Sequence, residues 1–340
     1  MIERVPLEKK QENSAESDME IRPVKASDAD AVAALLISVM GWIPDDRIRA
    51  FLEWKHKENP FGTSPEWVAL ANGEVVGYRA FLRWEFLLPN GETRRAVRAV
   101  DTVTDPAWQG KGIFRRLTMT GVTALTEKGV HWVFNTPNEQ SRPGYLKMGW
   151  RDVGRLGVGV RFLSPLGVAR ALRARVPAEK WSIPCEVGLV AQEAFADTAG
   201  VEGLLEKLPP PRGVRTRITP CFLSWRYGFD PLHYRVLYAG TSLEDGLVVF
   251  RVRRRGAARE AVVLSVLVPG DDKKTRRTLL RRVAREVEAD HLLCLGSRGL
   301  SEGFVLVPGL GPFFTWRALA NDTMPSLPDW DLGMGDVELF

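Results

Sequence analysis

Three cysteines are all that the 340-residue chain carries, and Cys185, Cys221 and Cys294 lie far apart, form no C-x-x-C pair and fall into no cysteine–histidine cluster. A disulfide framework and a zinc ribbon are thereby excluded, and the expectation is reduced, buried thiols in a cytoplasmic protein. Histidine is scarce too: His56, His131, His233 and His291 lack metal-ligand spacing, so no metal site is expected. No apolar run approaches the roughly 20 residues of a membrane span. The charged start, residues 1–10, has no signal-peptide core. No G-K-[ST] closes a Walker A loop, and Arg115 stands where the third glycine of a dinucleotide fingerprint belongs.

What is present is an ordinary globular composition, 45% hydrophobic and 26% charged. The length suits two domains of roughly 150 residues. A net charge of +5 permits anionic partners without selecting one. Residues 1–18 are polar and without periodicity, and read as a disordered tail. A short strand at 19–24, helices at 31–40 and from Pro44, and a hairpin at 67–71 and 75–86 around Asn72-Gly73 follow. Further strands are expected at 95–104, 130–135 and 151–163, with helices at 113–128 and up to Met148.

The second half echoes the first. Phe51, Trp54, Lys55 and His56, with Pro60 following, match Phe222, Trp225, Arg226 and Tyr227, with Pro231 following, at a constant offset of 171 residues. Each block leads into a strand, a turn and a second strand. A repeat of this length is a duplicated domain rather than a solenoid unit. The aromatic and basic positions read as packing residues shared by both copies. The competing account, two unrelated helices with aromatic cores, leaves the constant offset to chance.

The stretch 103–117 reads V-T-D-P-A-W-Q-G-K-G-I-F-R-R-L. An apolar strand, a glycine turn and an amphipathic helix in that order aim backbone N–H groups at one point, which suits phosphate. Glycine turns are common, so the turn alone is a weak signal. A second signal lies downstream, in N-E-Q-S-R-P-G-Y-L-K-M-G-W over residues 138–150. Together the two segments resemble the GNAT superfamily of acyl-CoA-dependent N-acyltransferases. The family turn (Q/R)-x-x-G-x-(G/A) is matched by Gln109 and Gly112, with Phe114 in the slot of the small residue. The family's later segment is matched by Asn138, Tyr145, Lys147, Gly149 and Trp150. The continuation after the turn resembles tandem-domain members of the enhanced-intracellular-survival type. The resemblance covers 19–163 directly and the remainder through the internal repeat.

The resemblance implies an α/β protein of two tandem GNAT-like domains, each a mixed, mostly antiparallel twisted sheet flanked by helices. The expected division is a tail (1–18), a catalytic domain (19–163), a linker (164–183) and a degenerate domain (184–340). Val103, Gln109, Gly110, Lys111, Gly112, Ile113 and Phe114 would hold the CoA pyrophosphate and adjoining arm, with Asn138 near the pantetheine. The strand ending at Thr104 would splay from the strand ending at Asn135. Tyr145 would protonate the departing thiolate as general acid. Transfer would be direct, since no cysteine occupies a motif position. Asp101 is the foremost carboxylate for the base, ahead of Glu139, Glu85 and a water relay. In the tandem enzymes the chain terminus approaches the acceptor cleft, which makes the Phe340 carboxylate a second candidate.

The corresponding place in the second half, V-L-V-P-G-D-D-K-K over 266–274, lacks the turn. Two carboxylates at a helix start would repel pyrophosphate. The basic helix that follows reads as a solvated face, which argues against a nucleic-acid partner. The expected activity is transfer of an acyl group from acetyl-CoA, or another acyl-CoA, to a small-molecule or peptide amine, without a metal. A non-catalytic acyl-CoA sensor and an aminoacyl-tRNA-dependent transferase with paired GNAT folds stay open as alternatives.

Overall fold

The structure is a computed structural model that describes residues 19–174, 176–296 and 302–338. The expected tail, 1–18, and the Phe340 carboxylate lie outside the described residues. The first half runs through β1 (Met19–Pro23), α1 (Ala29–Met40), α2 (Arg47–His56), β2 (Glu66–Ala71), β3 (Glu74–Leu87), β4 (Thr93–Thr104), α3 (Ile113–Glu127), β5 (Trp132–Asn135), α4 (Arg142–Lys147) and β6 (Arg151–Arg155). Then come β7 (Val158–Phe162), α5 (Pro165–Arg173), β8 (Leu189–Val190), α6 (Ala191–Ala194), α7 (Thr198–Glu206), β9 (Arg215–Thr216) and α8 (Pro220–Tyr227). The chain closes with β10 (Arg235–Tyr238), β11 (Leu247–Arg255), β12 (Ala258–Leu267), α9 (Lys273–Glu286), β13 (His291–Leu295), β14 (Val305–Leu306), β15 (Phe313–Ala318) and α10 (Met334–Val337).

These strands build two mixed, mostly antiparallel sheets flanked by helices, as two GNAT-like domains require. One has the order β1-β2-β3-β4-β5-β15-β6, with β9 added on β3; the other has the order β14-β7-β13-β12-β11-β10-β8. Each sheet contains one parallel pair, β4 with β5 and β12 with β13. The Asn72-Gly73 turn between β2 and β3 has both residues at positive φ, as a two-residue hairpin demands.

Sheet membership does not follow chain order. The strand expected as one run over 151–163 breaks at Leu156-Gly157, and its two pieces join different sheets. β7 leaves the first half to pair with β13 of the second sheet. In exchange β15 enters the first sheet between β5 and β6, with Trp316 opposite Phe134. Each half thus supplies a strand that the other lacks. Between the sheets lies one aromatic core drawn from both halves, including Phe51, Trp54, Trp84, Phe134, Phe222, Trp225, Phe314 and Trp330. At about 1.5–3 kcal/mol for each large apolar side chain fully buried, this layer is a major adhesive between the halves.

On the outer face of the first sheet α3 is held close by glycine. A Cβ on Gly121 would fall 2.4 Å from the Phe81 ring, and one on Gly77 would fall 2.7 Å from Ile113. That approach sets the start of α3 directly over the end of β4. The expectation of buried thiols holds only for Cys294: Cys185 is half-buried, and Cys221 at the start of α8 is exposed. Its side chain points away from the aromatic layer that Phe222 and Trp225 enter. All three are free thiols. Among the described residues no group of acidic, cysteine and histidine side chains could hold a metal ion. No described helix is long and apolar enough to cross a membrane.

Candidate active site

The site begins with a break in pairing. β4 and β5 are in register from Ala96–Trp132 to Arg98–Phe134, after which β4 runs on to Thr104 without β5 beside it. The gap is a cleft of about 790 Å³, lined by β4 from Arg98 to Thr104, by Asn135 to Asn138, and by Trp42, Lys55, Gln109, Phe114 and Tyr145. That volume suits a sizeable ligand. β4 also bulges here. Tyr78 faces Val103 and Ala80 faces Val100, so Asp101 and Thr102 together oppose Arg79. Asp101 has φ +45°, a left-handed conformation that asparagine and aspartate tolerate better than most residues.

At one end of the cleft the glycine turn leads into α3. Gly110 and Gly112 have φ of +79° and +75°, and a Cβ at either would meet nothing within 4 Å, so this face of the turn is open. Gly112 is the N-cap of α3 and brings no side-chain acceptor. The first N–H groups of a 15-residue helix therefore remain available to an external anion. Lys111 is exposed beside them, its ammonium 4.1 Å from the centroid of the Trp108 ring. Gln109 is exposed, and its Nε2 donates to the Thr104 carbonyl at 3.3 Å, which fastens the turn to the end of β4. Ile113 is buried against the sheet and serves through its backbone. Phe114, the departure from the family turn, packs edge-on against Tyr145 with centroids 5.3 Å apart. Room for it comes from Gly144, where a Cβ would fall 2.8 Å from the ring.

Tyr145 lines the cleft from α4 and is otherwise buried. Its Oη accepts a 2.6 Å hydrogen bond from Nη1 of Arg79. Arg79 is fully buried, and its Nε and Nη2 find no partner among the described residues. With a cationic donor on the phenol oxygen, the phenol's own hydrogen is left to point elsewhere. Arg79 was not anticipated from the sequence, although a cation between Tyr78 and Ala80 in the buried part of β3 is a visible irregularity. Asn138 lies at the cleft edge, where its Oδ1 accepts from Ser141 N and Oγ, both at 2.8 Å, and starts α4.

Asp101 turns its side chain toward α2. Lys55 Nζ stands 2.7 Å from its Oδ2, and His56 Nε2 stands 2.8 Å from the same oxygen. His56 Nδ1 in turn lies 3.0 Å from Ser64 Oγ. Burial alone would raise the Asp101 carboxyl, but the Lys55 charge and the His56 hydrogen bond outweigh it and hold it far below the usual carboxylate range. A carboxylate so held is a poor base, which counts against the foremost base expected from the sequence. Glu85 is no better placed, being paired with Arg217 at 2.7 Å. The Ser64–His56–Asp101 chain is likewise no hydrolytic triad, because Ser64 is itself buried and lines no part of the cleft. Beyond Lys55, Lys180 sits with Nζ 3.2 Å from the Trp42 ring centroid and 3.9 Å from that of Phe51, with no hydrogen-bond partner among the described residues. Burial, assisted by the Lys55 charge, lowers its pKa to about 7.

The second half repeats this framework without the site. β12 also bulges against β11, between Val249 and Phe250. There Tyr227, the counterpart of His56 at the 171-residue offset, has its Oη 2.6 Å from Ser265 Oγ and meets no carboxylate at that atom among the described residues. Helix α9 is capped by Asp272, whose carboxylate accepts from Thr275 N at 2.8 Å, so its N-terminus is already occupied by an anion. The matching cleft shrinks to about 160 Å³, lined on one side by the chain's own Asp331 to Met334 and Asp336. One half has an open phosphate turn, and the other has closed it.

Comparison with known proteins agrees with this geometry. Residues 20–153 match the family model described as an acetyltransferase (GNAT) domain. No curated protein sequence matches the chain. Among solved structures, a GCN5-related N-acetyltransferase from Anabaena variabilis is similar at 11% identity and a TM-score of 0.60, over 89% of this chain and 73% of that one. One from Kribbella flavida is similar at 14% identity and 0.61, over 88% and 71%. Eis1 from Mycobacterium abscessus is similar at 15% identity and 0.55, over 88% and 73%. At these identities the likeness is one of fold.

Proposed function

We propose that the protein moves an acyl group, acetyl foremost, from acyl-CoA directly to an amine, using the cleft of its first half. The observation that carries this reading is a shared cleft. An uncapped α3 N-terminus and a phenol polarised by Arg79 serve the same gap between β4 and β5. Backbone N–H groups from Gly110 to Phe114, with Lys111, would bind the pyrophosphate. Unpaired backbone of Val103 and its neighbours, with Asn138 at the edge, would bind the pantetheine. The thioester supplies an activated acyl carbon. Tyr145 donates its proton to the departing sulfur, while Lys55 and His56 fix Asp101 and with it the shape of the bulge. Water remains a candidate for the acceptor's proton, and so does the Phe340 carboxylate. In support of the latter, the segment leading to it is fastened at the cleft: Arg98 donates to the Asp336 and Val337 carbonyls, both at 2.6 Å.

Two measurements test this reading: thermal shift with acetyl-CoA and longer acyl-CoA esters, then free-thiol release across an amine panel. No shift with any CoA ester would remove the main claim. A shift without turnover would favour the acyl-CoA sensor, a reading that the position of Tyr145 on the cleft wall does not support.

A further inference from the structure

The acyltransferase reading names no acceptor, but the charges of the cleft narrow it. Only three ionisable carboxylate, lysine or arginine side chains line it: Lys55, Arg98 and Asp101. Asp101 is already committed to Lys55 and His56. Arg98 projects from β4 and is 3% exposed. Its Nη1 and Nη2 donate to two backbone carbonyls and to Thr136 Oγ1 at 2.9 Å, while its Nε has no partner among the described residues. Among the described residues no carboxylate lies within ion-pair distance of it. The acidic groups nearby are engaged elsewhere. Asp336 accepts from Thr216 Oγ1 at 2.7 Å and from Gly333 N at 2.6 Å, and Glu338 takes Arg251 and Arg253 at 2.9 and 2.6 Å. Burial, and after it the charge of fully buried Arg226, pushes Arg98 down to about 9, against a smaller opposing pull from the Asp336 and Asp101 carboxylates, neither of which pairs with it. The pyrophosphate does not answer this surplus, because the α3 N-terminus and Lys111 serve it at the other end of the cleft.

A buried guanidinium without a counter-charge is costly in low dielectric, and a cationic ligand entering beside it makes the cost larger. We infer that the acceptor is an amine that also carries a carboxylate, taken by the free Nε–H of Arg98 with Lys55 beside it. This inference rests on the acyltransferase reading. It excludes polycations as favoured acceptors, since they would bring charge of the sign already in excess.

The test uses pairs of amines that differ only in the carboxylate: phenylalanine against phenethylamine, leucine against isoamylamine, and lysine against cadaverine. With acetyl-CoA, thiol release should favour the acid of at least one pair by about tenfold or more in kcat/KM. In Arg98→Met that preference should collapse toward unity, and Arg98→Lys should retain part of it. Plain amines turned over as well as their acids would overturn the inference. So would an Arg98 substitution that slows both members by the same factor, the outcome expected if the chain's own terminal carboxylate were the anion that Arg98 holds. Should Arg98→Met fail to fold, Arg98→Lys and salt dependence of the acid preference replace it. Calorimetric binding of the same pairs to the CoA-loaded protein separates this inference from the activity itself. Selective binding of an acid without turnover would support the carboxylate site while ending the acyltransferase reading, and binding of neither member of any pair would end the inference.

Discussion

Trp54 and Trp225 donate their indole N–H groups to each other's backbone carbonyl, both at 2.8 Å, across a separation of 171 residues. Their rings stack with centroids 5.5 Å apart. The contact is reciprocal, each side making the same bond as the other at the repeat offset. Truncating either to alanine should cost about 3–5 kcal/mol in urea unfolding. The double variant should cost less than the sum by about 1–3 kcal/mol. Additive losses would show that the two indoles stabilise their own halves independently.

Tyr145→Phe removes the proton while keeping the ring against Phe114 and Trp150. Turnover should fall by about 10²-fold, with acetyl-CoA affinity little changed. Arg79→Met, which leaves the phenol but not its donor, should produce a smaller loss of kcat. Equal loss of affinity and turnover in the phenylalanine variant would make Tyr145 a packing residue.

The two glycine turns provide a matched experiment. Gly112→Ala strains a φ of +75° by about 1–2 kcal/mol and puts a methyl on the open face of the turn. Calorimetry should show weakened acetyl-CoA binding. Gly270, at φ +61° beside the capped helix of the second half, supplies the control. Gly270→Ala carries similar strain and should leave CoA affinity unchanged; parallel losses would mean that the first turn is not special.

Lys180 sets a pH dependence. Folded, it releases its proton near 7; unfolded, near the ordinary 10.5. Between these values the unfolded chain holds more protons, so this residue's contribution to stability rises with pH across the window. Below pH 7 its burden is present in full. Lys180→Met should therefore stabilise by roughly 2 kcal/mol at pH 6.5, a figure reduced by partial solvent access and by the aromatic faces around the ammonium. The gain should shrink steadily toward pH 10.5. A gain independent of pH would assign the effect to packing instead.

How much of this was legible in the sequence depends on whether the signal was local. The turn from Gln109 to Phe114, the segment ending at Trp150 and the 171-residue echo are patterns along the chain, and each was readable. Phe114 read as a flaw because its compensation, the missing side chain of Gly144, lies 30 positions away. Lys55 on α2 and Asp101 on β4 meet where a helix packs on a strand, 46 positions apart, and nothing near either one announces the other. Arg98 looked like one more cation in a strand, because its lack of a counter-charge is a property of its surroundings. The exchanged strands were hidden for a related reason: β7 and β15 are short apolar runs of the kind any sheet could accept. Which sheet they join is settled by the slots left between β5 and β6 and between β13 and β14.

That exchange also imposes an order of events during synthesis. The first sheet holds the whole cleft, yet one of its inner strands, β15, begins at Phe313. While a ribosome is still making the second half, β5 and β6 have no strand between them, and Trp132 and Phe134 face an empty slot. The sheet that lines the cleft is therefore among the last parts of the fold to be finished. A fragment ending near residue 163 would expose that slot to any strand it met, and expression of the first half alone should give aggregate in place of a smaller enzyme.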